Sequence, residues 1–411
     1  MGENTQHLYQ ERRQRIIDAV ALKKPDRVPV SISFSYFPAK FTGEVTAKDA
    51  WYDFKKWKAA CFKTVEYYEP DNAGFTTNNS GIVLEAIDNK TMLWPGHGVS
   101  VHHSHQFVEG EYMKEDEYDM FLNDMTDYLI RYHLPRTNGL LAPLGHLPPM
   151  TSLLGGLPYS TMAAPDFADM TIKLLSIAKD AMTWEKETAI MRREILEKGY
   201  PSRGGTRGGL VPFDNISDMF RGMRGAMLDM YRRPDKLIAA IQKLSDLQIK
   251  NIEAAPAAKE FTIIFIPLHR GADGFMSLKQ FETFYFPYLK RMVEALVVKG
   301  YTPNLFFEGD YTKRLEYLLE LPKGKVLGLF DRSDMKKTKE ILGGHMCIMG
   351  NMPSSILQTG TVDDVKTACK WLIDTCGQDG GYIMAPGSSV DEVKPENMKA
   401  MIDFTKEYGK Y

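Results

Sequence analysis

Four apolar runs in the second half of the chain stop at residues that carry chemistry. Thr262-Ile263-Ile264-Phe265-Ile266 leads to His269, and Leu305-Phe306-Phe307 to Glu308. Val326-Leu327-Gly328-Leu329-Phe330 leads to Asp331, and Met346-Cys347-Ile348-Met349 leads through Gly350 to Asn351. An imidazole and two carboxylates on one mouth offer the donor types for a divalent metal with positions left open for water or substrate. The same groups serve a general acid or base with an orienting partner. His269, Glu308 and Asp331 are therefore the candidate catalytic residues and also the candidate metal ligands. The competing reading is plain ion pairing: Glu308 with Arg270 or Arg314, and Asp331 with Arg332 or a nearby lysine.

Two further clusters invite a binding role. His97, His102, His103 and His105 fall in one short stretch behind the rigid turn Trp94-Pro95-Gly96-His97-Gly98. A strand over 101–107 would put His103 and His105 on one face. Arg203 and Arg207 lie among glycines, with Arg221 and Arg224 following. Glycine permits close approach, and arginine grips carboxylate or phosphate with two hydrogen bonds; a solvated surface loop is the alternative. Trp94, His97, Phe306, Asn351, Arg203 and Arg207 are the candidate substrate contacts, with Phe307 beside Phe306 shaping an apolar wall. No HExxH, no phosphate-binding G-x-x-x-x-G-K-[ST] loop and no dinucleotide fingerprint occurs, so no nucleotide cofactor is expected.

These residues need a frame that brings strand ends together. Each late apolar run lacks alternation and is followed by a helical pattern, the signature of parallel strands buried on both faces. Such folds present their chemistry at the C-terminal ends of the strands. The expected fold class is α/β, a single (β/α)8 TIM-type barrel over residues 1–411. Its parts are an N-terminal helix within residues 1–25, a first strand near Val28–Phe34 and a helix from Thr46 to about Tyr67. Long helices follow over 165–198 and 234–255. Residues 80–150 show no sustained period and are expected to form an irregular excursion inserted in the first half.

Composition excludes several classes. Lys and Arg number 51 against 53 Asp and Glu, a net charge of -2, so bulk electrostatics give no reason to expect nucleic acid. No apolar run reaches the ~20 residues of a membrane helix. Four cysteines without a Cys-x-x-Cys pair fit reduced thiols in a cytoplasmic protein.

The ends of the chain resemble a known family. Arg12-Arg13-Gln14-Arg15-Ile16-Ile17-Asp18-Ala19 and Lys24-Pro25-Asp26-Arg27-Val28-Pro29-Val30 are similar to the start of the uroporphyrinogen decarboxylase superfamily. Gly350-Asn351-Met352-Pro353, Gly380-Gly381-Tyr382-Ile383-Met384-Ala385-Pro386-Gly387 and Pro395-Glu396-Asn397-Met398 are similar to its end. The resemblance implies the same barrel and one of two chemistries. One is decarboxylation of a tetrapyrrole's acetate arms without a cofactor. The other is methyl transfer involving a corrinoid, often with zinc.

Departures from the family pattern sort these. Decarboxylases of the family carry arginines just after the first strand, where this chain has Ser33-Phe34-Ser35-Tyr36-Phe37-Pro38-Ala39-Lys40. Thiol methyltransferases of the family carry His-x-Cys-Gly and Pro-Gly-Cys, where this chain has Phe306-Phe307-Glu308-Gly309 and Pro386-Gly387-Ser388. A thiolate zinc site is thereby excluded at these positions, and an oxygen/nitrogen site at His269, Glu308 and Asp331 stays open. The corrinoid-binding Asp-x-His-x-x-Gly is absent, so the resemblance implies a corrinoid supplied by a partner protein. The first expectation is transfer of a methyl group from a small methylated substrate to that corrinoid. The alternatives are a cofactor-free decarboxylase and a non-catalytic binder of corrinoid or tetrapyrrole. Members of the superfamily often dimerise, which makes a homodimer an expectation here.

Overall fold

The computed structural model of the chain describes residues 2–76, 80–202, 206, 207 and 209–411. The N-terminal helix runs Glu3–Val20 and buries Ile16, Ala19 and Val20. Strand β1 (Ser31–Ser33) pairs in parallel with β2 (Asn72–Gly74). Between them lies helix Phe54–Tyr68, whose N-cap is Asp53, accepting from the Lys56 amide. The sequence placed this cap at Thr46. That threonine instead bonds the Asp49 carboxylate at the head of a separate short helix, Asp49–Tyr52.

The excursion carries a small sheet in which β3 (Met92–Pro95) lies between β4 (Gly98–Val99) and β5 (Gln106–Phe107). The strand expected over 101–107 is reduced to these last two residues, and His103 lies in the turn before it. The long helix Pro165–Glu197 then carries the chain back toward the N-terminal helix.

The second half forms one parallel sheet. Its strands are β6 (Thr206–Arg207), β7 (Ile263–Leu268), β8 (Thr302–Phe307), β9 (Leu327–Phe330), β10 (Cys347–Gly350) and β11 (Tyr382–Ile383). They are hydrogen-bonded side by side in chain order. Two isolated parallel bridges link this sheet to β1 and β2: Met384 to Val30, and Ser202 to Ala73.

Side-chain alternation gives the sheet two buried faces. On one, Ile264, Ile266, Leu268, Leu305, Phe307 and Phe330 join the large core beneath the helices. On the other, Ile263, Leu327, Leu329, Cys347, Met349 and Ile383 cluster with Ile16, Ala19 and Val20. Phe306 belongs to this second face, in register with Pro267 and Leu329. The helices between strands follow their 3.6-residue period. In Phe286–Val298 the buried residues include Leu289, Met292, Val293 and Leu296. Capping boxes at Ser277/Gln280 and Thr361/Asp364 start two of the helices.

Candidate functional site

The end of β7 is held by a helical stretch, Pro212–Asn215 continuing through Ile216–Arg221. Asp214 and Asp218 are four residues apart and so lie on one face of it. Asp214 is fully buried. Its carboxylate accepts the backbone amides of His269 and Arg270, both at 3.0 Å, and the Tyr285 hydroxyl at 2.7 Å. Burial pushes its pKa up to about 6, against the opposing pull of nearby His269 and the Tyr285 bond. Tyr311 donates to the carbonyl of Leu268 at 2.9 Å, bracing the same strand end. Burial raises both phenols well above their ordinary range, so they remain donors.

Asp218 holds the histidine itself. Its Oδ2 lies 2.5 Å from His269 Nδ1, and its Oδ1 accepts from Arg270 at 3.1 Å. On the other side of the ring, His269 Nε2 is 3.6 Å from Glu308 Oε2. The imidazole is therefore gripped at one nitrogen and faces a half-exposed carboxylate with the other. Burial disfavours the imidazolium. The Asp218 hydrogen bond and the charges of Asp214, Asp218 and Glu308 outweigh it, so the pKa lies above its ordinary value.

Glu308 follows β8 directly, and Gly309 turns the chain at φ +91° behind it. The ion pairs considered from sequence for Glu308 are not formed. Arg270 bonds Asp218, Glu109 and Ser217, and Arg314 is buried against Asp273 and the Met276 carbonyl. Asp331, at the end of β9, accepts the Gly309 amide at 3.1 Å, and burial raises its pKa. It also lies 3.7 Å from the exposed Arg332. Asn351 donates to the carbonyls of Asp331 and Ser333, at 3.1 and 3.0 Å, so it ties the β9 and β10 ends together.

The structure thus joins His269 to Glu308 and gives Asp331 a bracing role beside them. Among the described residues, no three histidine, cysteine, aspartate or glutamate side chains are grouped to hold a metal ion. The ligand trio expected from the sequence is not assembled, because Asp218 occupies one imidazole nitrogen and Gly309 binds the Asp331 carboxylate.

The candidate substrate contacts divide. Phe306 sits on the second sheet face, stacked on Phe265 with ring centroids 6.1 Å apart. Trp94 is fully buried in the excursion, where it stacks on Trp51 and His97 and donates to the Tyr52 hydroxyl at 2.9 Å. His97 lies 3.6 Å from Glu85. The contacts of this pair are those of a local core and its edge. Arg203 lies outside the described residues. Arg207 falls in β6, in register with Phe265. His103 and His105, with Ser104, Gln106, Gln358 and Glu392, line a cleft of about 510 Å³.

Sequence reasoning missed Asp214, Asp218, Tyr285 and Tyr311. The signal for the first two was present: carboxylates spaced i, i+4 just after Pro212, at the start of a helix.

Comparison with known proteins adds the family. The model of the uroporphyrinogen decarboxylase (URO-D) family matches residues 166–408, more than half of the 411-residue chain. The uroporphyrinogen decarboxylase of Chlorobium luteolum is 27% identical over 247 residues, covering 58% of this chain and 69% of that protein. That of Syntrophotalea carbinolica is 26% identical over 176 residues, covering 42% of this chain and 49% of that protein. The chain thus spans about half the length of the second relative. Among solved structures, a methyltransferase from Methanosarcina mazei superposes with a TM-score of 0.61 at 16% identity, over 97% of this chain and 98% of its own. That likeness is one of fold across the whole chain. By the extent of the family match, this protein belongs to the uroporphyrinogen decarboxylase (URO-D) family.

Proposed function

We propose that the chain is a methyltransferase-type enzyme of this family, with its active site at one mouth of a closed (β/α)8 barrel. The barrel reading rests on the two parallel bridges. Met384 to Val30 and Ser202 to Ala73 supply the two seams that would close β1, β2 and β6–β11 into a ring. His269, Glu308, Asp331 and Asn351 follow four of those strands on the same end.

The observation that carries the chemistry is His269 held between Asp218 and Glu308. Its raised pKa, driven by the Asp218 bond and the surrounding carboxylates, shifts the ring toward the imidazolium. A small methyl ether or methylated amine bound beside Phe306 would meet a proton at His269 Nε2. As the bond from methyl carbon to oxygen or nitrogen breaks, the electron pair stays on the heteroatom and takes that proton. Asp218 keeps the ring oriented and compensates its charge, and Glu308 holds the leaving atom or returns the proton. A corrinoid carried by a partner protein would supply the nucleophile that accepts the methyl group.

A second reading follows from the names of the curated relatives: decarboxylation of a tetrapyrrole or another acid. Holding many carboxylates needs unoccupied arginines. Arg221 is committed to Asp229 and Glu111, Arg270 to Asp218 and Glu109, and Arg314 to Asp273. This weighs toward methyl transfer.

The test compares wild type with His269→Gln and Glu308→Ala on a panel of methyl ethers and methylamines, using reduced cobalamin as acceptor. Loss of His269 should cost ~10²–10⁴-fold in rate. Full activity in either variant would sink the assignment. Release of carbon dioxide from uroporphyrinogen under anaerobic conditions would favour the second reading.

A further inference from the structure

Three polar side chains lie buried on the face of the strands that turns away from the helices. In β1, Ile32 joins the core beneath the helices, so Ser31 and Ser33 point to the other side. In β2, Ala73 does the same for Asn72 and Gly74. In β8, Leu305 faces the helices and Phe306 the other side, which Asn304 shares. Ser31 is 1% exposed, Asn72 2% and Asn304 1%. Among the described residues, Ser31 Oγ, Asn72 Oδ1 and both polar atoms of the Asn304 amide have no hydrogen-bond partner.

Ser31 and Asn72 are register partners. In the closed ring proposed above, β8 is the fourth strand from β1 in either direction, so Asn304 stands across the interior from that pair. Alternate strands of such a barrel share side-chain layers, and β1 and β8 belong to one alternating set. A buried donor or acceptor left unpaired costs stability. Packing does not require polar groups here, since β9, β10 and β11 fill the same interior with Leu327, Leu329, Met349 and Ile383. One step nearer the mouth, Ser33, Gly74 and Phe306 are half-buried, so the layer opens upward past two small residues. Asn304 lies four residues before Glu308, ~13 Å along the chain at 3.3 Å per residue. That is about the reach of a para-substituted anisole with its hydrogen bonds.

We propose that Asn304, with Ser31 and Asn72 opposite, grips the end of the substrate remote from its methyl group, and that this end is a neutral hydroxyl or carboxamide. The assignment rests on the barrel and the methyl-donor site proposed above. The Asn304 amide both donates and accepts, Asn72 Oδ1 accepts, and the Ser31 hydroxyl does either. A hydroxyl or carboxamide meets both kinds of group at once, whereas a carboxylate only accepts. Strands β1, β2 and β7 to β11 carry no lysine or arginine to compensate such a charge. The methyl-bearing end then reaches His269 and Glu308, with the middle of the molecule along Phe306.

Calorimetric titration of the full chain, with no corrinoid present, tests this with 4-methoxybenzamide, 4-methoxybenzyl alcohol, 4-methoxybenzoate and 4-methylanisole. The amide and the alcohol should bind roughly 10-fold or more tighter than the other two. Asn304→Leu should weaken the amide and the alcohol by roughly 10–100-fold and leave 4-methylanisole unchanged. Its thermal midpoint should hold or rise, because the free protein loses no hydrogen bond. Ser31→Ala, on the opposite wall, should weaken the same two probes and decides the matter if Asn304→Leu folds poorly. Equal binding of all four probes, or binding of none, overturns the proposal. So does tightest binding of the carboxylate, which would shift recognition to Arg207. A lowered midpoint in Asn304→Leu with unchanged affinities would assign the layer to buried water and overturns it too. The expected binding pattern without methyl transfer to reduced cobalamin would uphold the grip of this layer and sink the methyl-transfer reading alone.

Discussion

The two halves of the molecule hold their chemistry-bearing residues in different ways. From β7 to β10, each strand delivers one residue to the same end, and neighbouring strands fix its position by backbone pairing. In the excursion, Trp94 and His97 are placed by particular contacts: a ring stack, a bond to Tyr52, an approach to Glu85. Arg136 there anchors Glu117 through two bonds of 2.7 Å and holds that carboxyl down to about 2. A repeated unit makes a residue's position legible from its place in the repeat. An inserted segment with no repeat must be solved contact by contact.

The sharpest way to break this contrast is Trp94→Ala. If Trp94 is a core residue of the excursion, its loss should cost about 3–5 kcal/mol of stability. Turnover at His269 should be retained by the fraction that stays folded. Chemical denaturation alongside single-turnover rates checks it. A rate loss without a stability loss would return Trp94 to the substrate pocket.

Asp214 probes the strand-end half through pH. Its pKa is raised to about 6 from an ordinary value of 3.8, so the folded protein binds this proton more tightly than the unfolded chain does. The stability this contributes is fully present below the unfolded value and is lost as pH rises through the folded one. Wild type should therefore lose ~3 kcal/mol between about pH 3 and pH 7 relative to Asp214→Asn. Parallel denaturation curves at both pH values measure it, and parallel pH dependences would remove the buried carboxylate from the account.

Asp218→Asn should act on His269 more than on the fold. The imidazole pKa, raised in part by its bond to this partner, should fall. The descending limb of activity, set by loss of the imidazolium as pH rises, should move down with it. An NMR titration of the ring checks the shift independently of rate. The smallest effect belongs to Arg332→Ala. Its pairing with Asp331 is surface-exposed, so stability should change by less than ~1 kcal/mol. A tenfold fall in activity would instead make Arg332 a substrate contact.

His269 and Glu308 were legible because each ends an apolar run, and parallel strands put such ends side by side. Their closest partner, Asp218, was not placed, since it approaches from a helix 51 residues earlier in the chain. The expected metal trio fails for the same reason. Spacing along the chain could not reveal that Asp218 takes one nitrogen of the imidazole while a backbone amide takes the Asp331 carboxylate. Asn351 was also legible as a strand-end residue, but its role is to brace two carbonyls.

The sequence by itself determined the α/β class, the order of the late strands and the end of each strand at which its polar residue appears. Local periodicity and the two-residue repeat of a strand encode these, and both are short-range. Only the tertiary structure decided which polar groups meet. The pairing of His269 with Asp218 and Glu308, the commitment of Arg270 and Arg314 elsewhere, and the burial of Trp94 all depend on segments distant in the chain. Such contacts are selected by packing and by the cost of leaving a buried polar group without a partner, and no local pattern records that choice.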